Sequence, residues 1–480
     1  MIMKKKAFCI HGHFYQPPRE DPMTGEIPLE PGAAPFKNWN EKIHSQCYKP
    51  NSQWGNFESI SFNIGPTLIE WMVNYDPGTL ARIVDQDRRN LERYGIGNAM
   101  AQPYNHTILP LANRNDKYTQ VYWGIRNFEY YFGHRPTGMW LPETAVDLET
   151  LEILAELGMR YTILAPWQAD STNLDVKHPY LVNLPSGKTI AIFFYHAGLS
   201  SRISFDPKIT ENADTFIPQT LLPEFSPDNI PGDSSGDNPE LILIASDGEL
   251  YGHHQPFRDL FLSRLVRGAQ VGYPIYDTFL SLWIQQHPPQ QTIRIKENTS
   301  WSCMHGITRW CGECDCTPHA QWKAPLREAF NKIAKAIDDE YIRSTEDFFH
   351  DPWVLRHEYM DVIFHKQKIE DFVHKYSKCN LSSETIEKIR LLLAAQYERQ
   401  RIFTSCGWFF DDFDRIEPRN NVMYAADAVR LTFEATGVDL SPLAMAELQK
   451  VSSWRTGLWA STLFNHYMQR TKKSRQTTPA

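Results

Sequence analysis

The stretch TGMWLPETAVDLETLEIL, residues 137–154, decides the fold. An apolar run at 137–141 is followed closely by Glu143. A segment with Leu148, Leu151, Leu154 and Ala155 at helical spacing comes next, with Thr144 or Asp147 as its cap. Strand, acid and helix in immediate succession form the repeating unit of parallel α/β proteins. Those folds carry their chemistry at the C-terminal ends of strands.

The same alternation extends through the first 300 residues. Short β-rich runs at 7–10, 98–102, 137–141, 161–164, 189–195, 241–245 and 292–295 predict seven strands, and 58–73, 148–157 and 276–284 predict intervening helices. Seven strands over that length suit a closed barrel, although a doubly wound open sheet gives the same one-dimensional pattern. Proline- and glycine-rich segments near 17–40 and 206–239 read as inserted loops, of the kind that sit above a barrel's site. Beyond about 320 the strand signals fade. Leu326, Phe330, Ile333, Ile337 and Tyr341 share one helical face; Ile386, Ile389, Leu392, Leu393 and Tyr397 form a second, and 425–433 a third. The expected organisation is a barrel over 1–315, a helical domain over 316–470 and a flexible tail over 471–480.

Composition narrows the function. Lys+Arg number 49 against 57 Asp+Glu, a net charge of −8, which argues against nucleic acid or an anionic membrane surface as the main partner. Hydrophobic residues at 42% and charged residues at 22% are ordinary for a folded, soluble chain. No apolar run approaches the ~20 residues that span a bilayer, and the four apolar residues after the lysines at 4–6 are too few for a secretory signal. Eight cysteines are far below the density of a disulfide scaffold, so a reducing, cytoplasmic setting is expected. YGIGNA at 94–99 lacks the third glycine of a dinucleotide fingerprint, and neither a phosphate-binding P-loop nor a GxSxG serine elbow occurs.

Chemistry-bearing residues cluster after the strands. LILIASDGELYGHHQPF at 241–257 delivers Asp247, then Glu249, Tyr251, His253 and His254. Glu143 and Asp247, on separate strand ends of one sheet, can face each other as nucleophile and proton donor for glycosidic cleavage; a loop-fixing glutamate and a Ser-Asp-Gly-Glu turn are the plain alternatives. In HGHFYQPP at 11–18, His11 and His13 alternate along a strand and so point the same way. They suit metal ligation, sugar hydroxyls or simple backbone satisfaction. His106 follows another strand. Cys303, His305, Cys311, Cys314, Cys316 and His319 crowd one segment, where reduced loop cysteines are a plainer reading than a metal site. The flanking Trp301, Trp310 and Trp322 offer indole faces for sugars, or core packing.

In order along the chain these segments resemble glycoside hydrolase family 57. HGHFYQPP is similar to its opening His-x-His segment, FNIGPTLIEW at 62–71 to its Asn-x-x-Pro-x-Leu helix, NHTILPL at 105–111 to its second region, MWLPET at 139–144 to its third and DGELYGHH at 247–254 to its fourth. NTSWSCMHGITRW at 298–310 and QYERQRIFTSCGWFFDD at 396–412 are similar to later segments. The resemblance implies a (β/α)7 barrel with a C-terminal α-helical bundle, and a retaining enzyme acting on α-glucans as amylase, 4-α-glucanotransferase or branching enzyme. It implies Glu143 as nucleophile and Asp247 as general acid/base. His11, His13, His106, Trp140, Glu249, Tyr251, His253, Trp301, Trp310 and Trp408 are the candidate substrate-binding residues. The only partner implied is an α-glucan or oligosaccharide, with no cofactor and no metal. Two other readings stay open: a metal-dependent barrel hydrolase of amidohydrolase or deacetylase type, using His11, His13 and His196 or Asp247, and a non-catalytic glucan-binding relative.

Overall fold

The computed structural model describes residues 6–22, 24–227 and 239–476, and its organising strand is β1, Lys6–Phe14. All of β1 after Lys6 is buried. On one side it runs parallel to β7, Glu240–Asp247; on the other it pairs with β8, Ile275–Asp277, and then with β2, Ser61–Ile64. Next to β2 lies β3, Ala99–Met100. Ala101 then bridges Met139, and Gly138 bridges Tyr161 at the start of β4, Tyr161–Leu164. Parallel to β4 is β6, Thr189–Phe194, with β5, Tyr180–Asn183, antiparallel against it. Just past β6, the His196 N–H donates to Leu243 O of β7 at 2.7 Å. Seven parallel positions thus surround one interior, the (β/α)7 barrel.

A strand's side chains alternate between faces, so one parity fills the barrel. Ala7 and Cys9 of β1, Tyr161 and Ile163 of β4, Ala191 and Phe193 of β6, and Leu241, Leu243 and Ala245 of β7 belong to one buried apolar cluster. Each large apolar side chain enclosed there contributes roughly 1.5–3 kcal/mol. Continuing those rows toward the C-terminal ends brings His11 and His13 on β1 and Asp247 on β7. Apolar floor and polar mouth follow from one alternation.

The structure corrects several elements. Residues 58–73 are not one helix: Ser61–Ile64 is a strand, and the helix Pro66–Tyr75 begins at Pro66. Ile60, Ile64, Leu68 and Trp71 mimic a helical stripe because strand and helix abut at Gly65. At 292–295 there is no strand, only bridges from Thr292 to Leu181 and from Ile295 to Ala169. Residues 137–141 contribute bridges at Gly138 and Met139 instead of a ladder. Residues 276–284 begin as β8 and become helical at Leu280. The segment 206–227 is a succession of short helical turns, Pro207–Thr210 and Ala213–Phe216 among them; 228–238 lie outside the described residues. The helix Ala460–Gln476 runs into the stretch read as a tail, of which 477–480 are not described.

Contacts divide the chain into two units: Met1–Gln16, Leu29–Pro103 and Phe128–Trp301 form the first, which holds the barrel; Pro17–Pro28, Tyr104–Asn127 and Ser302–Ala480 form the second. The second is helical. Lys323–Thr345 buries Leu326, Phe330, Ile333, Ile337 and Tyr341, the predicted face, and Ser383–Arg401 lies along Ile416–Thr436. Inside it Asp116 bridges Arg356 and Arg399 at 3.0 and 2.6 Å, with Arg399 also on Asp338 at 2.7 Å. Among the described residues no helix is long and apolar enough to cross a membrane.

Candidate active site at the barrel mouth

β1 and β7 set the first three groups. His13 is in register with Asp247 on one side and with Asn63 on the other, and His11 with Ser61. Asn63 Nδ2 donates to Gln102 Oε1 at 2.7 Å, which leaves its Oδ1 to accept from His11 Nε2 at 3.2 Å. His11 Nδ1 then accepts from the Ser61 hydroxyl at 3.0 Å. Asn63 also lies 3.0 Å from His13 Nδ1. Burial pushes the His11 pKa down to about 3, with His13 adding to it, and burial pushes His13 down to about 4. Both imidazoles are therefore neutral at pH 7. They stack on the buried Trp140 with centroids 4.9 and 5.0 Å away.

Glu143 stands on a strained turn. Its φ is 58° and that of Thr144 is 49°, both left-handed. Such backbone persists only where neighbours fix it. Gln168 does so from one side, accepting from the Thr144 hydroxyl and donating to Thr144 O, both at 2.8 Å. Residues 298–301 do so from the other: Asn298 N–H donates to Val146 O at 2.8 Å and Trp301 N–H to Glu143 O at 3.0 Å. The Trp301 indole N–H also reaches Glu143 Oε2 at 3.0 Å. Asp147 caps the following helix, accepting from Thr150 N–H at 2.8 Å.

Asp247 ends β7. It is exposed to solvent, yet protein groups crowd its carboxyl. That partial dehydration, and then the Glu143 charge, push its pKa up to about 7. The two carboxyls therefore feel each other across the mouth. Glu249, behind Asp247, accepts from the Tyr48 hydroxyl at 2.6 Å and from Tyr15 N–H at 3.1 Å. Burial lifts its pKa to about 8 against the pull of Tyr48, so it carries a proton at neutral pH.

Other candidates are placed differently from expectation. Trp140 and Tyr251 are 0 and 1% exposed and offer no ring face to a sugar. Trp140 is a wall under the histidines, and Tyr251 anchors its loop by accepting at its carbonyl from Asn51 Nδ2 (2.7 Å). Glu249 is buried, with its carboxyl bonded by Tyr15 N–H and the Tyr48 hydroxyl. His253 Nδ1 meets Gln46 Oε1 at 2.6 Å. His106, Trp310 and Trp408 belong to the second unit. There His106 bonds Ser405 Oγ at 2.6 Å, and the two indoles are 0% exposed, Trp408 lying under Arg327. Trp301 remains a partly open ring against the site. Ser61, Gln102 and Gln168 are further site residues, and Asn63, the asparagine of the Asn-x-x-Pro-x-Leu segment, joins them; the parity of β2 points Ser61 and Asn63 inward.

Of the residues named for the metal-hydrolase reading, two have both ring nitrogens hydrogen-bonded or paired. Both ring nitrogens of His11 are engaged, and His196 uses Nδ1 to accept from Leu199 N–H at 3.1 Å and Nε2 against Glu224 at 3.2 Å.

The loop after Asp247 depends on Gly252. Its φ is 131°, and a Cβ there would lie 2.2 Å from the backbone O of Gln46. Gly252→Ala is expected to cost about 2–5 kcal/mol of stability, read as a lowered midpoint in denaturant unfolding. An unchanged midpoint would contradict this loop geometry.

The sequence model of glycosyl hydrolase family 57 matches residues 29–296, and that of a domain of unknown function, DUF3536, matches 319–461. No curated protein matches the chain. Solved structures share the fold. The exo-type maltose-forming amylase of Pyrococcus sp. ST04 aligns with TM-score 0.73 over 96% of this chain and 88% of its own, at 15% identity. A branching enzyme from Pyrococcus horikoshii aligns with TM-score 0.58 over 99 and 96%, at 16% identity. An α-amylase from Thermotoga maritima gives 0.56 over 96 and 98%, at 13%.

Proposed function

Because this chain belongs to glycosyl hydrolase family 57, we propose that it cleaves or transfers α-glucosidic linkages with retention, Glu143 acting as nucleophile and Asp247 as acid/base. The observation that carries the reading is the coupling of the two carboxyls. Asp247, lifted to about 7 by partial burial and by Glu143, holds a proton at the pH where Glu143 must be ionised.

The steps follow from these groups. Glu143 attacks the anomeric carbon as Asp247 protonates the departing oxygen, leaving a glucosyl ester on Glu143 and a carboxylate at Asp247. Asp247 then takes a proton from water or from an acceptor sugar hydroxyl, which displaces Glu143. Trp301 holds the Glu143 carboxylate in line through its indole N–H. His11 and His13, neutral and fixed by Asn63 and Trp140, are donors and acceptors suited to sugar hydroxyls. The chemistry needs no cofactor. The family's solved relatives act as amylase and branching enzyme, and we place this chain's substrate among soluble α-glucans and its work in the cytoplasm.

Incubation with maltooligosaccharides, amylose and glycogen, with products separated by chromatography, tests the proposal. Shorter chains with new reducing ends mean hydrolysis, a ladder of longer chains means disproportionation, and new α-1,6 points mean branching. No change in any glucan across the set would contradict it.

Trp301→Phe keeps the ring and removes the hydrogen bond to Glu143. Hydrogen bonds to charged groups contribute about 1.5–3 kcal/mol, so kcat/KM is expected to fall about 10- to 100-fold. An unaltered kcat/KM would remove Trp301 from the machinery.

A further inference from the structure

We propose that Cys303, His305, Cys314 and Cys316 form a mononuclear structural zinc site in the second unit. Their four ligand atoms all lie within 4.8 Å of one another. The Cys303 and Cys314 sulfurs are 3.8 Å apart, and the Cys316 sulfur is 3.6 Å from His305 Nδ1. A tetrahedral zinc ion with bonds of about 2.3 Å to sulfur and 2.0–2.1 Å to nitrogen has S–S and S–N edges of about 3.8 and 3.6 Å. The separation is far from the ~2.05 Å of a disulfide. Such close donors surround one ion and leave no room for an iron–sulfur cluster.

The surroundings complete the case. With His305 binding through Nδ1, its Nε2 points outward, 3.9 Å from the exposed Asp315 carboxylate, beyond direct hydrogen-bond distance. Backbone groups of Met304 and of His305 and Arg309 hydrogen-bond the sulfurs of Cys316 and Cys303. The ligands come as two short pairs, Cys-x-His and Cys-x-Cys, joined by 306–313. Residues 302–322 contain little regular structure beyond the turn Thr308–Trp310 and the bridge from Cys314 to Thr317. A four-ligand ion ties both ends of that loop together. Cys311, whose sulfur instead faces Ile307 O at 3.8 Å, stands outside the set.

Three thiolates, one neutral imidazole and no open position make the site closed, so its role is structural. Binding Zn²⁺ releases three protons from the thiols and leaves the site with a net charge of −1.

Elemental analysis of the full-length protein, purified without added metal, is expected to find one zinc per chain. Cys316→Ser and Cys314→Ser are expected to lower it below one tenth, and Cys311→Ser to leave it unchanged. Cobalt exchanged into the protein is expected to give thiolate charge-transfer and tetrahedral d–d bands. Alkylation mapped by mass spectrometry serves where a variant fails to fold: zinc shields Cys303, Cys314 and Cys316, a chelator exposes them, and Cys379 reacts in both states. The proposal is overturned if the protein, with its thiols verified as reduced, holds no zinc and takes none up from a chromophoric chelator. It is equally overturned if Cys303 and Cys314 are found as a disulfide, or if zinc survives loss of Cys316 and not of Cys311.

Discussion

Glu143→Ala is expected to lower turnover of α-glucans by at least about 10⁴-fold, because the carboxylate forms the covalent intermediate and nothing beside it can replace that bond. Its turn is held by Gln168 through Thr144 and by residues 298–301 through backbone bonds, none of which uses the Glu143 side chain apart from the Trp301 indole. The variant should therefore fold and bind glucan as the parent does. Small anions give a sharper readout. With an activated α-glucosyl donor, azide enters the space the side chain vacates and attacks from the same face. Activity is expected to return in part, with β-glucosyl azide as product. A variant within tenfold of the parent, or one that azide does not rescue, would show that Glu143 is not the nucleophile.

Asp247→Asn is expected to cost about 10²–10⁴-fold on natural glucans, in the range of a lost general acid. The size of the loss should track the leaving group: an aryl glucoside that departs without protonation keeps far more of its glycosylation rate than maltooligosaccharides do. The pH dependence carries the sign. Asp247 donates its proton in the first step, so the active form lies below its pKa of about 7, and kcat/KM falls as pH rises through that value. Glu143 must be ionised, so kcat/KM also falls on the acid side, giving a bell. Asp247→Asn should flatten the alkaline limb. Glu249, lifted to about 8 by burial, titrates nearby, so Glu249→Gln is the control. An alkaline limb that survives in Asp247→Asn and vanishes in Glu249→Gln would reassign the proton donor.

What the sequence made legible follows from which signals are local. Glu143 and Asp247 could be read because each lies at or just beyond the end of a short apolar run and before a turn, a local arrangement. Their proximity needed only that both strands belong to one barrel. His11 and His13 were visible by alternation, but their partners were not. Asn63, the asparagine of the Asn-x-x-Pro-x-Leu segment, holds both imidazoles, and that role is masked because Ile60, Ile64, Leu68 and Trp71 imitate a helix across a strand–helix junction. The tryptophans misled for a different reason. An indole looks the same in sequence whether it faces a sugar or fills a core, and Trp140, Trp310 and Trp408 fill cores while Trp301 stays partly open. The cysteine segment could not be resolved by spacing, because Cys311 and Cys314 look like a pair, whereas the folded loop sets Cys311 aside and brings His305 in.

Double displacement through Glu143 requires a glucosyl ester on that residue. Incubation with a 5-fluoro-α-glucosyl fluoride slows the breakdown of that ester, and peptide mapping by mass spectrometry locates it. One sugar on the peptide carrying Glu143 is the expected result. A label on Asp247, Glu249 or any other residue, or turnover of the reagent with inverted product and no label at all, would contradict it.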